Sequence, residues 1–66
     1  MSTPKYEIGS KLKVVVGDCE SAVTIHARWY DTIKDTWIYR INGKGNCGDC
    51  IEQVSEEYLM EHSSNL

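Results

Sequence analysis

The longest strand-like pattern in the chain is Ala22-Val23-Thr24-Ile25-His26-Ala27-Arg28-Trp29-Tyr30. Successive side chains of a β-strand point to opposite faces, so alternation of apolar and polar residues indicates a half-buried strand. The two predicted faces are Val23, Ile25, Ala27 and Trp29 on one side, and Thr24, His26, Arg28 and Tyr30 on the other.

Shorter strand patterns flank this segment on both sides. The earlier one is Lys11–Val16, which ends at the turn-forming pair Gly17-Asp18. The later one is Thr36–Ile41, and it runs into Asn42-Gly43-Lys44-Gly45-Asn46, a strong turn signal because Asn-Gly readily takes positive φ angles. The full prediction is strands near 11–17, 22–31, 36–42 and 50–54, a helical turn at 55–58 and a short closing element at 58–61.

The composition is that of one small globular domain. With 66 residues, 41% hydrophobic and 26% charged, the chain has room for a single core. We expect order over about residues 6–61 and frayed ends. Ten acidic and seven basic side chains leave a net charge of −3, which disfavours a nucleic-acid partner. No apolar run reaches the roughly 20 residues of a membrane span, and no signal-peptide pattern opens the chain.

The alternation also predicts which side chains fill the core. Apolar residues on the inward face of each strand, together with one residue from the closing element, are expected to pack together. These residues are Leu12, Val14, Val23, Ile25, Ala27, Trp29, Ile41, Ile51 and Leu59.

Four segments resemble the SH3-like small barrels, a fold group that includes SH3, Tudor and KOW modules. They are Gly9-x-x-Leu12-x-Val14, Ala27-Arg28-Trp29-Tyr30, Trp37-Ile38-Tyr39-Arg40-Ile41 and Val54-Ser55-Glu56-Glu57-Tyr58-Leu59. The resemblance spans about residues 6–60 and implies an all-β fold, a small antiparallel barrel of about five strands with a helical turn before the last. It covers the chain as one domain, residues 1–66.

The resemblance implies binding rather than catalysis. Trp37 and Tyr58 match the tryptophan and tyrosine that SH3 domains use in their peptide groove, although the aromatic cluster that precedes the first SH3 loop is absent here. Tudor modules hold methylated lysine or arginine in an aromatic cage. The candidates for such a cage are Trp29, Tyr30, Trp37 and Tyr39, but alternation turns at least two of them into the core.

The cysteines carry the sharpest chemical motif. Cys47 and Cys50 have the C-x-x-C spacing of zinc ligands, with Cys19 as a third candidate and His26 or His62 needed to complete the set. A redox-responsive role for the three cysteines is a related alternative. The leading expectation is free, reduced thiols at a hairpin tip of a cytoplasmic protein with no cofactor, because the cysteine count is odd and no export signal is seen.

The function predicted from these residues is non-enzymatic protein binding, typical of a small regulatory or accessory protein of a bacterium or phage. Dispersed acids and a lone His26 offer no acid–base pair in a cleft. An arginine and aromatic patch on a sheet face is typical of a binding surface. The predicted contact residues are Arg28, Tyr30, Ile38 and Arg40, with Trp37 and Tyr58 as a second surface.

Two other partner classes stay open. Nucleic acid could be bound by a cationic set, which comprises Lys11, Lys13, Arg28, Arg40 and Lys44. Exposed edge strands and the small size of the chain are compatible with a homo-oligomer. The sequence does not name the protein partner.

Overall fold

The computed structural model describes residues 3–65, apart from the side chain of Cys50. It contains five strands and one helix. They are β1 Lys11–Val16, β2 Cys19–Asp31, β3 Thr36–Gly45, β4 Gly48–Ser55, α1 Glu56–His62 and β5 Ser63–Asn65. No helix in this part of the chain is long and apolar enough to cross a membrane.

The strands form one antiparallel sheet in the order β4-β3-β2-β1-β5. The all-β prediction is confirmed, and each predicted strand lies within an observed one apart from Gly17. The described residues form an open sheet whose edges are β4 and β5. Closure into a barrel therefore remains a prediction.

The β3–β4 hairpin turns later than predicted. Strand β3 continues through the Asn-Gly sequence to Gly45, which pairs with Gly48 across the turn. Gly43 is needed for close approach to β2, because a Cβ there would lie 1.9 Å from the carbonyl oxygen of Ala22. The predicted turn signal is thus wrong in position: its glycines serve strand contact, and Asn46 and Cys47 form the turn.

Helix α1 occupies the place of the predicted closing element at 58–61. The Ser55 side chain caps it by accepting a hydrogen bond of 3.2 Å from the backbone N–H of Tyr58. Glu56 and Glu57 in the first turn favour the positive end of the helix dipole. The predicted helical turn therefore extends to seven residues, and the last strand follows it at Ser63–Asn65, paired with β1.

The core lies between the sheet and α1. We call the side of the sheet that faces α1 the inner face and the opposite side the outer face. The buried residues are Leu12, Val14, Val23, Ile25, Tyr39, Ile41, Val54 and Leu59. Six of the nine predicted core residues are therefore confirmed. The prediction is wrong for Ala27, Trp29 and Ile51.

A β-bulge at His26 explains two of these errors. Ile25 pairs with Ile41, but the next pair is Ala27 with Arg40, so two residues of β2 face one of β3. The extra residue reverses the alternation beyond it. Ala27 and Trp29 consequently point to the outer face, and Arg28 turns to the inner face opposite Tyr39.

Ile51 is misplaced for a different reason. Val54 pairs with the buried Tyr39, which fixes the inner-facing parity of β4. Ile51 has the opposite parity, pairs with Asn42 and is 60% exposed. Hydrophobicity alone predicted burial for a residue whose register turns it outward.

Candidate functional site

The outer face carries an exposed apolar surface with an arginine at its centre. We define the outer patch as Ala27, Trp29, Ile38, Arg40 and Ile51. Trp29 pairs with Ile38, and Ala27 with Arg40, so these four form two neighbouring rows across β2 and β3. Trp29 is 38% exposed although tryptophan is highly buried on average. More than a third of this side chain therefore faces solvent.

A shallow cavity extends the outer patch along the sheet. Its volume is about 320 Å³, and its lining residues are His26, Ala27, Arg40, Asn42 and Ile51. The His26 bulge helps to form it, because bulged positions re-aim side chains and increase local twist. The arrangement combines apolar area with a cation and amide or imidazole groups. It suits contact with another macromolecule's side chains.

The outer patch is uncovered because the covering elements lie on the inner face. Leu59 of α1 is completely buried against the inner residues. The segment before β1 packs there too, with the Tyr6 ring edge-on to Tyr39 at a centroid distance of 5.4 Å. The inner face thus supplies the core, and the outer face is left for solvent or a partner.

Arg28 does not lie on the predicted outward patch. Its Nη1 donates a hydrogen bond of 2.8 Å to the backbone carbonyl of Tyr6. This bond ties the segment before β1 to β2, on the same face as Tyr39. The prediction that Arg28 shares a face with Ile38 and Arg40 is wrong, because the bulge reversed the alternation of β2.

Tyr30 moves to the inner face with Arg28. It pairs with Trp37, and the two rings meet edge to face at 5.6 Å. The Tyr30 hydroxyl also donates a hydrogen bond to Asp35 in the β2–β3 turn. The four-residue predicted surface is therefore split, with Ile38 and Arg40 alone on the outer face.

Trp37 and Tyr58, the second predicted surface, both pack partly buried against the core. Tyr58 also stacks on His62 with ring centroids 4.6 Å apart. The structure brings these two aromatics to the same side of the sheet as α1. Tyr58 also lines a cavity of about 450 Å³ together with Trp29 and Ile38 of the outer patch, at the β4 side of the sheet.

A hydrogen-bonded network crosses the inner face at Tyr39. The Tyr39 hydroxyl donates to Glu56 Oε2 at 2.9 Å and accepts from the Tyr6 backbone N–H at 3.4 Å. The backbone N–H of Lys5 donates to the same Glu56 oxygen at 3.2 Å. Burial, together with the hydrogen bond to Glu56, raises the pKa of Tyr39 to about 12. The hydroxyl therefore stays protonated at neutral pH and serves as a donor.

The tips of the β1–β2 and β3–β4 hairpins are joined covalently. Cys19 and Cys47 form a disulfide with their Cα atoms 5.6 Å apart. The Asn46 side chain accepts from the Glu20 backbone N–H at 2.7 Å and donates to the Asp18 carbonyl at 2.8 Å. We call this arrangement the tip clamp. It lies beside a groove of about 330 Å³ that includes Val16 and Tyr58.

The tip clamp corrects the expectation of free thiols. Two of the three proposed zinc ligands, Cys19 and Cys47, are bonded to each other, and the side chain of Cys50 lies outside the described residues. Among the described side chains, no group of three or more histidines, cysteines and acids is placed to hold a metal ion. A three-cysteine zinc site would require reduction of this disulfide, and it stays a prediction.

Sequence reasoning missed Trp29 and Ile51, yet one signal for Trp29 was available. A four-residue turn at 32–35 pairs Asp31 with Thr36, and counting back from it aligns Trp29 with Ile38. Continued without interruption, the same register would place polar His26 opposite Ile41. A polar residue opposite a buried isoleucine indicates a bulge in β2. One extra residue at His26 restores the apolar pair of Ile25 and Ile41.

Comparison with protein-family models, with curated proteins and with solved structures finds no match for the chain.

Proposed function

We propose that the protein is a non-enzymatic interaction module that docks onto another protein through the outer patch. The observation that carries the proposal is the exposure of Trp29 and Ile51 around Arg40 on an uncovered sheet face. Tryptophan and arginine are the residues most enriched among binding hot spots, and aliphatic neighbours exclude water around them. The proposed role of the chain is that of a small regulatory or accessory protein.

The chemistry of the outer patch favours docking over catalysis. His26 is exposed in the shallow cavity, where Arg40 and Asn42 are its polar neighbours. General acid–base catalysis requires a titratable group within hydrogen-bond reach of a substrate held in a cleft. An open sheet surface with apolar side chains supports complementary packing instead.

We also propose that the sheet belongs to the SH3-like group. The support is the path of the chain: four antiparallel strands in sequence, a short helix, and a last strand that returns to pair with the first. The predicted peptide groove of that group would involve Trp37 and Tyr58. We place docking on the outer patch instead, because Trp29 and Ile51 are exposed there. Trp37 and Tyr58, in contrast, pack partly buried against the core.

The disulfide favours a second candidate function, a redox-responsive role. Disulfides persist in oxidising compartments, whereas cytoplasmic thiols are kept reduced. A cytoplasmic location remains a proposal, and there the tip clamp would respond to the redox state of the cell. Mass spectrometry of the alkylated protein, equilibrated in glutathione buffers, would test this: reduction within the cytoplasmic range supports a switch. A bond that stays intact throughout that range contradicts it.

The docking proposal is tested by quantitative pull-down with matched variants. Ile51→Ala and Trp29→Ala remove apolar contacts of the outer patch, and Ile33→Ala removes an equally apolar side chain that is 95% exposed in the β2–β3 turn. We expect one host protein to bind the parent and Ile33→Ala equally. Its affinity for Trp29→Ala should fall about thirtyfold or more, the equivalent of a hot-spot loss of about 2 kcal/mol.

Folding of each variant is checked by its melting temperature before binding is compared. The Ile51→Ala variant serves here because an exposed side chain contributes little to stability. Equal capture by the parent, Trp29→Ala and Ile51→Ala would place the interface elsewhere and overturn the proposal.

A further inference from the structure

The outer face is distinguished from the rest of the chain by its charge. Register and alternation place four cations there, namely Lys11, Lys13, Arg40 and Lys44. Three acids share that face, namely Glu20, Asp31 and Asp49. The net charge of the outer face is therefore +1. Since the whole chain has a net charge of −3, the remaining residues carry −4.

Three of these cations lack a carboxylate partner in the described part of the chain. Lys13 pairs with Glu20 at 2.6 Å, whereas Lys11, Arg40 and Lys44 make no ion pair there. All three are exposed. The Asp31 carboxylate is already engaged, since it accepts hydrogen bonds from the backbone of the β2–β3 turn. Asp49 lies opposite Lys44 in the β3–β4 register, although no ion pair forms between them among the described side chains. Four cations against three acids leave the outer face a net charge of +1.

The spacing of two cations matches an extended chain. Arg40 and Lys44 lie on the same face of β3, four residues apart, and Asn42 lies between them. At a rise of about 3.3 Å per residue they are separated by about 13 Å, the span of residues i and i+4 of another extended segment. Ile51 pairs with Asn42 and so provides an apolar contact midway between the two cations.

We propose that the outer patch recognises an extended acidic segment of a partner protein, with the pattern acid–x–apolar–x–acid aligned along β3. The two carboxylates contact Arg40 and Lys44, and the apolar side chain packs on Ile51. This inference rests on the proposed docking function and adds the chemistry of the partner. Charge complementarity of this kind contributes mainly to specificity and association rate, while the apolar contact contributes affinity.

A protein segment fits these observations better than nucleic acid does. Three unpaired cations would neutralise about three phosphates, which gives only a shallow salt dependence and weak binding. The exposed Ile51 has a role in protein contact that a phosphate backbone does not use.

The test starts from random peptides rather than from a known ligand. Phage-displayed random 12-residue peptides are selected on the parent protein at physiological salt, and the enriched peptides are synthesised. We expect acidic pairs four residues apart around an apolar residue. Backbone amide shifts in NMR titrations should then map to residues 26–29, 38–44 and 49–53.

Matched charge variants sharpen the test. Arg40→Gln and Lys44→Gln should each weaken binding of the synthesised peptide about threefold, as expected for exposed ion pairs, whereas Lys5→Gln, on the side of the sheet near Glu56, should leave it unchanged. A peptide with both acids replaced by amides should bind the parent about tenfold more weakly than the acidic peptide does. Against each single variant, which keeps one of the two ion pairs, the same replacement should cost only about threefold. Equal weakening by Lys5→Gln would reduce the effect to net charge and overturn the inference.

The remaining outcomes separate this inference from the docking function. Peptides that shift outer-face residues but carry no acidic pair would overturn the acidic pattern and leave docking standing. Absence of any peptide that shifts outer-face residues would count against both. Tighter binding of a fluorescein-labelled oligothymidylate than of any selected peptide would assign the face to nucleic acid. Concentration-dependent self-association abolished by Arg40→Gln would assign it to the acidic side of a second copy.

Discussion

Tyr39 is fully buried, and its hydroxyl connects the segment before β1, the middle of β3 and the start of α1. A buried hydroxyl costs free energy unless it is hydrogen-bonded, and here both its donor and acceptor roles are used. The Glu56 carboxylate accepts the phenolic hydrogen, so ionisation of Tyr39 would place two negative charges side by side. The packing of these three segments therefore depends on the protonated state of the Tyr39 hydroxyl.

This dependence predicts a loss of stability at alkaline pH. The pKa of Tyr39 rises from 10.0 to about 12 on folding, so the protonated folded state is favoured and its stabilisation is complete below pH 10. As pH rises from 10 to 12, the unfolded state loses its proton first and the free energy of unfolding falls by about 2–3 kcal/mol. Urea denaturation of the parent and Tyr39→Phe between pH 7 and 12 measures this.

Tyr39→Phe is the control for the other groups that titrate in this range. Its stability should decline less steeply than that of the parent above pH 10, so that the difference between the two proteins changes with pH. Parallel curves would show that the Tyr39 hydroxyl is not linked to folding.

Ile25 is one of two fully buried side chains of β2, the other being Val23. It has no exposed surface and lies immediately before the bulge, opposite Ile41. Ile25→Ala should lower the free energy of unfolding by about 2–5 kcal/mol through lost burial and a cavity. Ile33→Ala, at a 95% exposed site, should stay within about 0.5 kcal/mol. Equal effects in chemical denaturation would show that the strand register is wrong.

At the scale of elements, the strands were predictable because alternation survives wherever pairing is regular. Val23 and Ile25 were assigned to the core correctly, since they precede the bulge. Trp29 was not, because one inserted residue reverses every side chain beyond it. The candidate site shares this limit: Ile38 and Arg40 were correctly paired on one face, whereas their neighbour across the hairpin was misassigned.

The tip clamp depended on contacts that local patterns do not contain. Cys19 and Cys47 are separated by 28 residues, and only the packing of two hairpins brings them together. The C-x-x-C spacing drew attention to Cys47 and Cys50 instead. Gly45 is a further clue in the sequence. The structure explains this glycine, because a Cβ there would lie 2.0 Å from the Glu20 carbonyl oxygen. A glycine outside the turn indicates close backbone approach, but the sequence does not say to which strand.

Breaking the tip clamp should lower stability without changing the sheet. In the chain-entropy account, a disulfide across 28 residues stabilises the fold by about 3–4 kcal/mol. The double variant Cys19→Ser, Cys47→Ser should therefore unfold at lower denaturant concentration, as should the parent in dithiothreitol. Dithiothreitol should have no further effect on the variant. A reductant effect of equal size on both proteins would show that this disulfide is not the stabilising one.

At the scale of the whole molecule, the two faces of the sheet have separate roles. The inner face contains the buried cluster, the Tyr39 network and the contacts of α1, and the outer face contains the exposed patch and the unpaired cations. A small domain has little stability to spare, so exposure of Trp29 and Ile51 is not explained by folding. We attribute it to the proposed partner.

This separation predicts that docking can be removed without unfolding the protein. The double variant Arg40→Gln, Ile51→Ser changes only exposed side chains of the outer face, so its melting temperature should fall by no more than about 4–8 °C, the equivalent of about 1 kcal/mol. The melting temperature of Val54→Ala, on the inner face of the same strand as Ile51, should fall further because this substitution opens the core.

Calorimetry gives the melting temperatures, and the pull-down gives partner binding. Docking should be lost in the folded double variant and kept by Val54→Ala at temperatures where it is folded. If the double variant melts as low as Val54→Ala, the outer face contributes to folding and the division of roles between the faces is wrong.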